Sequence, residues 1–451
     1  MNPRVATTTT AADTGFFGHP RGLATLFFTE MWERFSYYGM RAFLLYYMTA
    51  AAAAGGLGFT DAEGASAYGT YTGAAWGAAI IGGLIADRFL GQYRSVLWGG
   101  VLIMLGHISL VFPAVPFFYA GLGLVVAGTG LLKPSVSTLV GSLYEQGDRR
   151  RDAGFSIFYM GINSGAILGP IVAGYVAQRI DWHLGFGCAA IGMALGLIQY
   201  VADRRHLAPA IERMAAERAA RASRVPAASA GSATALTPAE WSRIGAILVL
   251  FVFATLFWAG YEQAGSTLAL IADRNTRLEV LGFGFPSSWL QSLQPIFVVL
   301  LAPVFAWLWL RLGRREPSVP MKFAAGLVFM GLAFVIMMPA GAALDADDML
   351  KISPWPLIFW NLFSELAELS ISPVGLSAIT KLSPARLVGL MMGVWFLSLA
   401  FGNKLAGSLA AYVETMPLFT MFSTVAGVLL VAAAVMFVVA RPVRRMMGET
   451  N

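Results

Sequence analysis

Charge is scarce in this chain: Asp, Glu, Lys and Arg make up 12% of its 451 residues, against 57% hydrophobic, and the mean hydropathy is +0.66. That balance excludes a soluble globular domain, in which about 25% of residues are charged. Cysteine is nearly absent, and the single Cys188 has no partner in the chain, so no intrachain disulfide frames the fold. The four histidines, His19, His107, His183 and His206, are scattered over tails, loops and separate apolar runs, so neither a metal site nor a cofactor is expected. No HExxH, GxSxG or GxxxxGK[ST] sequence occurs, and the chain reads as a non-enzyme. Residues 1–19 lack the apolar centre of a cleaved signal peptide, which leaves the first long apolar run to target the chain.

What is present is apolar length. Twelve stretches are long enough to cross a hydrocarbon core of ~30 Å at ~1.5 Å per residue. They are 22–51, 66–89, 95–113, 117–141, 154–177, 183–204, 242–266, 286–311, 319–341, 354–381, 386–413 and 416–440. An even number of crossings puts both termini on one side. Tails and loops on that side hold or border 23 Lys and Arg, against Arg179, Arg274, Arg277 and Lys351 in the opposite loops. By the positive-inside rule both termini are cytoplasmic and the surface partner is the lipid bilayer. The pI near 9.5 follows from that topology, and no nucleic-acid partner is expected.

The longest non-apolar stretch separates six crossings from six. It divides the chain into an N-terminal tail (1–21), a six-helix bundle (22–204), a cytoplasmic linker (205–241), a second bundle (242–441) and a C-terminal tail (442–451). Within the linker, Ile211 to Arg221 reads as a short surface helix, and Pro226, Ser229 and Gly231 as a flexible exit. Two bundles around a midplane site are the architecture of rocking transporters. Glycines at every fourth position, Gly73 and Gly77, then Gly161, Gly165 and Gly169, predict close helix packing. Pro134, Pro170, Pro295, Pro303 and Pro373 each remove an intrahelical bond. Pro134 follows Lys133 and Pro373 lies five residues beyond Glu368, which predicts two broken helices that carry charge.

The few charges inside the runs are then the candidate site. Glu30, Glu33, Arg34 and Arg41, with Tyr37 and Tyr38, fall at helical spacing along one stripe of the first run. A charge near the bilayer centre costs at least ~2.5 to 3.5 kcal/mol, so four on one helix call for a wet cavity and for one another. Away from the span ends there are five carboxylates, Glu30, Glu33, Glu262, Glu365 and Glu368, and four cations, Arg34, Arg41, Lys133 and Lys404. The excess carboxylate is the natural proton carrier. Glu30 and Arg34 form a favourable i, i+4 pair, leaving Glu33 and Arg41 to find partners on other helices. If both halves face one cavity, Arg41 and Lys133 oppose Glu262 and Glu368, and such a bipolar cavity suits a zwitterion. A small-anion carrier or a receptor that binds without transport stays open; an exporter of lipophilic cations would make poor use of Arg41 and Lys133.

Gly82 to Gly91 (GGLIADRFLG) resembles the cytoplasmic loop motif of the major facilitator superfamily. Six further motifs in order resemble its proton-coupled oligopeptide transporter branch, the POT/PTR family. They are Glu30 to Gly39 (EMWERFSYYG), Gly128 to Pro134, Phe155 to Gly165 (FSIFYMGINSG), Phe257 to Gly265 (FWAGYEQAG), Glu368 to Gly375 (ELSISPVG) and Met392 to Ser398 (MGVWFLS). The resemblance implies an all-α membrane protein of the major facilitator fold, with twelve transmembrane helices in two six-helix bundles related by pseudo-twofold symmetry. It implies a secondary active transporter of a bacterial cytoplasmic (inner) membrane, working as a monomer by alternating access, that brings di- and tripeptides in with protons. By matching position, Arg41 and Lys133 would meet the peptide carboxyl end, Glu368 its amino end, and Asn163 with Tyr38 its backbone, while Trp395 would line a side-chain pocket. Tyr37, Glu262, Gln294 and Ser398 complete the expected binding set. Glu30, Glu33, Arg34 and Glu262 would exchange protons, and the pairs Arg41 with Glu262 and Lys133 with Glu368 would open and close between halves. There are departures. Animal members carry a proton-linked histidine where Gly69 stands, which leaves protonation to carboxylates. Gln294 replaces the frequent asparagine before Pro295, and the linker lacks the two extra helices of many bacterial members.

Overall fold

The computed structural model describes residues 14–145, 148–224, 236–384, 387–412 and 415–448. Its long helices are α1 (Arg21–Thr49), α2 (Asp61–Leu90), α3 (Gln92–Leu110), α4 (Val115–Ser142), α5 (Arg151–Arg179), α6 (Trp182–Ala202), α7 (Arg204–Arg224), α8 (Pro238–Arg274), α9 (Ser287–Leu312), α10 (Val319–Ala346), α11 (Trp355–Leu382), α12 (Val388–Ala410) and α13 (Leu418–Met447). Eleven are long and apolar enough to cross a membrane. The twelfth crossing is α1, whose 29 residues match the others in length but whose apolar run is broken by Glu30, Glu33, Arg34 and Arg41.

Helix starts are capped as the local sequence dictates. Thr60 accepts from the Glu63 amide while the Glu63 carboxylate accepts from Thr60 N (2.9 Å), a reciprocal cap that opens α2. Thr237 and Glu240 repeat it at α8 (2.8 Å), and Asp181 accepts from the amides of His183 and Leu184 at α6. A two-residue hairpin, β1 (Glu279–Val280) on β2 (Phe283–Gly284), links α8 to α9.

Two structural features differ from the expectation. The linker helix is longer than Ile211 to Arg221, and it docks rather than floats. Leu207 and Ala210 are buried in the core shared by Leu23, Leu143 and Tyr200, because residues 207, 210, 211 and 214 place an apolar stripe against the first bundle. The exit residues Pro226, Ser229 and Gly231 lie outside the described residues. The helices holding Pro134 and Pro373 also run on unbroken. The Gly130 carbonyl that Pro134 frees abuts Gly82 of α2, where a Cβ would come within 2.0 Å of it. Pro170 is absorbed by a π turn, Pro170–Gly174. The broken crossing is α8, which tightens to a 3-10 turn at Glu262–Gly265 without any proline.

The buried apolar residues fall into three clusters, two of them each confined to one bundle. One large cluster runs from Ile244 to Met447 through α8 to α13; a second, centred on Phe43 and Phe186, lies in the first half but takes in Ala269 and Leu270 of α8; a third, centred on Leu139 and Met193, belongs to the first half alone. The halves meet mainly along α2 with α12 and α5 with α9. Gly69 and Gly407 bring α2 and α12 into backbone contact, a Cβ on Gly69 falling 2.7 Å from Gly407 Cα. That contact leaves no room for a histidine side chain at position 69 without moving a helix.

Candidate transport site

A cavity of about 290 Å³ lies between the two bundles. The first bundle lines it with Glu30, Arg34, Tyr38 and Arg41 of α1, Trp76 of α2, Lys133 of α4, and Tyr159 and Asn163 of α5. The second contributes Trp258, Tyr261 and Glu262 of α8, Gln291 and Gln294 of α9, Glu368 of α11, and Trp395 and Phe396 of α12. Three expected residues stand behind this wall. Glu33 is fully buried, Tyr37 packs edge-on against Tyr38 at 5.3 Å, and the Ser398 hydroxyl donates to the Trp395 carbonyl of its own helix at 2.7 Å. The six-residue stripe of α1 is in fact two rows: 30, 34, 38 and 41 face the cavity, while 33 and 37 sit about 60° around the helix, as a period of ~3.6 residues requires.

The charges are grouped in three clusters. In the first, Arg34 pairs with both Glu30 (3.2 Å) and Glu33, so Glu33 finds its partner on its own helix rather than on another. The Arg34 guanidinium lies 5.3 Å from the Tyr37 ring and 5.9 Å from that of Tyr38. Opposite, the Lys133 ammonium sits 3.1 Å from the centre of the Trp76 ring. In the second cluster Arg41 bridges the halves by an ion pair with Glu262 and donates to the Tyr68 hydroxyl at 2.5 Å. The third joins Tyr261 to Glu365 (2.8 Å) and Glu368 (2.7 Å). Lys404 is outside the site, exposed and donating to Thr70 at 2.8 Å. Asn163 gives its amide nitrogen to the Tyr159 carbonyl at 2.9 Å, and the Gln294 amide nitrogen is buried without a partner at the cavity wall.

Sequence reasoning missed Tyr68, Trp76, Tyr159 and Tyr261. Tyr261 had a legible signal, since it stands directly before Glu262 within the FWAGYEQAG motif. Tyr159 had a similar signal, four residues before Asn163 within the FSIFYMGINSG motif, whereas Trp76 and Tyr68 are aromatic residues in an apolar run that nothing local separates from packing residues.

The end of the bundles where Asp61 and Arg274 lie is closed by polar contacts between halves. Arg274 grips Asp61 with two bonds (2.6 and 2.7 Å), Gln178 reaches Ser287 (2.6 Å) and Asp273 (3.0 Å), and Ser292 donates to the Ile167 carbonyl (2.9 Å). Toward the other end, cavity-lining Tyr159 is 45% exposed and Leu376 39%. Arg41 and Glu262 are joined, whereas Lys133 and Glu368 each engage an aromatic neighbour instead of each other. One end is sealed and the other open.

Two helical bundles enclosing a charged cavity that is sealed at one end define the class of alternating-access secondary transporters. The POT family model matches residues 93–210 and 214–428, and the chain belongs to that family, with its major facilitator fold. It is 40% identical to the uncharacterized transporter YclF of Bacillus subtilis, with 96% of each chain covered, and 35% identical to the peptide transporter YePEPT of Yersinia enterocolitica, with 98% of each covered. Among solved structures it resembles a peptide transporter POT in complex with sulfate (TM-score 0.87, 40% identity, 97% of this chain and 98% of that one). It also resembles a POT family transporter in complex with 5-aminolevulinic acid (TM-score 0.85, 31% identity, 96% and 98%).

Proposed function

We propose that this protein carries di- and tripeptides into the cell together with protons, as a monomer in the cytoplasmic membrane of a bacterium and without enzymatic activity. The observation that carries this reading is the polarity of the cavity. Arg41 and Lys133 supply cations on one wall, Glu368 a carboxyl group on the other, and the amides of Asn163 and Gln294 lie between. A peptide places an ammonium and a carboxylate at opposite ends with amides between them, so each wall finds its complement. The volume, near the lower end of the ~300 to 1,000 Å³ usual for small-molecule sites, suits a short peptide. Peptide transporters among the relatives support the same assignment. With both termini cytoplasmic, the sealed Asp61 end is periplasmic and the open end faces the cytoplasm.

In this reading Arg41 and Lys133 hold the peptide carboxylate, Glu368 its ammonium, Tyr38 and Asn163 its backbone, and Trp395 a side chain. Protonation of Glu30, Glu33 or Glu262 loosens Arg34 or Arg41 from its carboxylate and frees it for the substrate. Closing Lys133 onto Glu368 while Arg41 parts from Glu262 would turn the cavity outward. The test is uptake of labelled dialanine into proteoliposomes under an inside-negative potential. Accumulation that a protonophore abolishes supports proton-coupled symport. Absence of uptake in sealed vesicles, with peptide binding retained, would instead favour a receptor.

A further inference from the structure

The clusters around the first bundle balance: Glu30 and Glu33 against Arg34 and Lys133, and Glu262 against Arg41. Among the described residues Glu365 and Glu368 have no such counterpart. They stand three residues apart on α11, so both side chains leave the same helix face. Both reach the one hydroxyl of Tyr261, at 2.8 and 2.7 Å. Glu365 is fully buried, and its second oxygen has no partner. The ionisable groups that face the pair are Tyr261 and Glu262 from α8, Tyr159 from α5 and Tyr38 from α1; Lys133 of α4 lies across the cavity on Trp76, and Lys322 of α10 is engaged by Glu316. None of these supplies an ion pair to either carboxyl.

A hydroxyl has one hydrogen to give. Two carboxylates at hydrogen-bond distance from one tyrosine oxygen cannot both accept it, and the one left over would point a bare negative charge at a lone pair. The contact closes only if one carboxyl carries a proton and donates to the tyrosine while the tyrosine donates to the other. We infer that Glu365, Tyr261 and Glu368 form a proton-holding relay in the second bundle, in which Glu365 stores one proton and controls the charge on Glu368. With the proton on Glu365, Glu368 is a carboxylate at the cavity wall. If Glu365 gives its proton to the Tyr261 oxygen and Tyr261 passes its own to Glu368, the negative charge moves to the buried Glu365 and Glu368 becomes neutral. No charge is created, and one O–H bond forms for each that breaks. This deepens the peptide reading: the first arrangement holds an ammonium and the second releases it.

Infrared difference spectroscopy on the reconstituted, peptide-free protein at neutral pH reads the stored proton directly. Wild type minus Glu365→Gln is expected to show the C=O stretch of a protonated carboxyl lost in the variant, and Tyr261→Phe is expected to shift that band while keeping it. A difference spectrum that loses only ionised-carboxylate bands, or a band indifferent to Tyr261→Phe, would overturn the relay. Because this readout uses no substrate, it stands or falls apart from dialanine uptake. Should Glu365→Gln fail to fold, the Tyr261→Phe difference alone decides.

Discussion

At the scale of single residues, Glu33 has no contact with the cavity yet neutralises, from behind, the arginine that does. A Glu33→Gln substitution keeps the shape of the site and removes a group that can take up a proton. The expected outcome is loss of proton-driven accumulation of labelled dialanine with exchange of peptide across the membrane preserved; a variant that still concentrates peptide removes Glu33 from the coupling. Glycine makes a second residue-scale distinction. A Cβ on Gly165 would lie 2.1 Å from the Met31 carbonyl oxygen and 2.9 Å from Arg34 Cβ, whereas one on Gly77 meets nothing within 4 Å. Gly165→Ala therefore has to push α5 away from α1, at about 1–3 kcal/mol. Gly77→Ala gains up to about 1 kcal/mol of helix propensity. Thermal unfolding in detergent should show a lowered midpoint for the first and an unchanged or raised one for the second.

At the scale of elements, hydropathy and charge located the crossings, because a bilayer imposes a length that the chain cannot hide. They did not locate the break in α8. Glu262 to Gly265 forms a 3-10 turn with no proline, and its cause is tertiary: Glu262 is drawn to Arg41 of the other bundle, while the Gln263 amide reaches the Ala406 carbonyl of α12 at 3.1 Å. The cavity residues Arg41, Lys133 and Glu368 were legible as charges in apolar runs, but Trp76 was not, since its position over Lys133 depends on how α2 meets α4. The seal between α2 and α8 was equally invisible; Asp61 reads as a first-turn acid and Arg274 as an ordinary loop cation until the fold places them together. That bridge is 43% exposed on the arginine side, so it is worth no more than about 1 kcal/mol. Arg274→Ala should accordingly raise the ratio of periplasm-open to periplasm-closed protein by up to about fivefold. Electron–electron distance measurements between spin labels at the periplasmic ends of α2 and α8 would show it, and an unchanged distance distribution would mean that Gln178, Asp273, Ser287 and Ser292 hold the seal without it.

At the scale of the whole molecule, each bundle has its own main core and shares apolar packing across the boundary at Ala269 and Leu270 of α8, so the bundles can tilt against each other about that contact while the cavity stays at their boundary. Such rocking moves a peptide and its proton together only if the halves are forbidden to cross with one and not the other. The Arg41–Glu262 pair spans that boundary, and when it parts a proton neutralises Glu262 while a peptide carboxylate pairs with Arg41, so neither charge is left bare only when both ligands are present. The size of the resulting gradient follows from the driving force. An inside-negative potential of 100 mV is worth ~2.3 kcal/mol per charge, and one pH unit adds ~1.4 kcal/mol. One proton per neutral peptide then sustains a gradient of several hundredfold, since each ~1.4 kcal/mol is a factor of ten. Removing the pH difference while keeping the potential should lower the plateau to about fiftyfold. Steady-state dialanine levels in proteoliposomes under the two conditions measure this ratio. A fall of about tenfold between them is the expected result for a single coupled proton, and a fall near a hundredfold would assign two protons to each transported peptide.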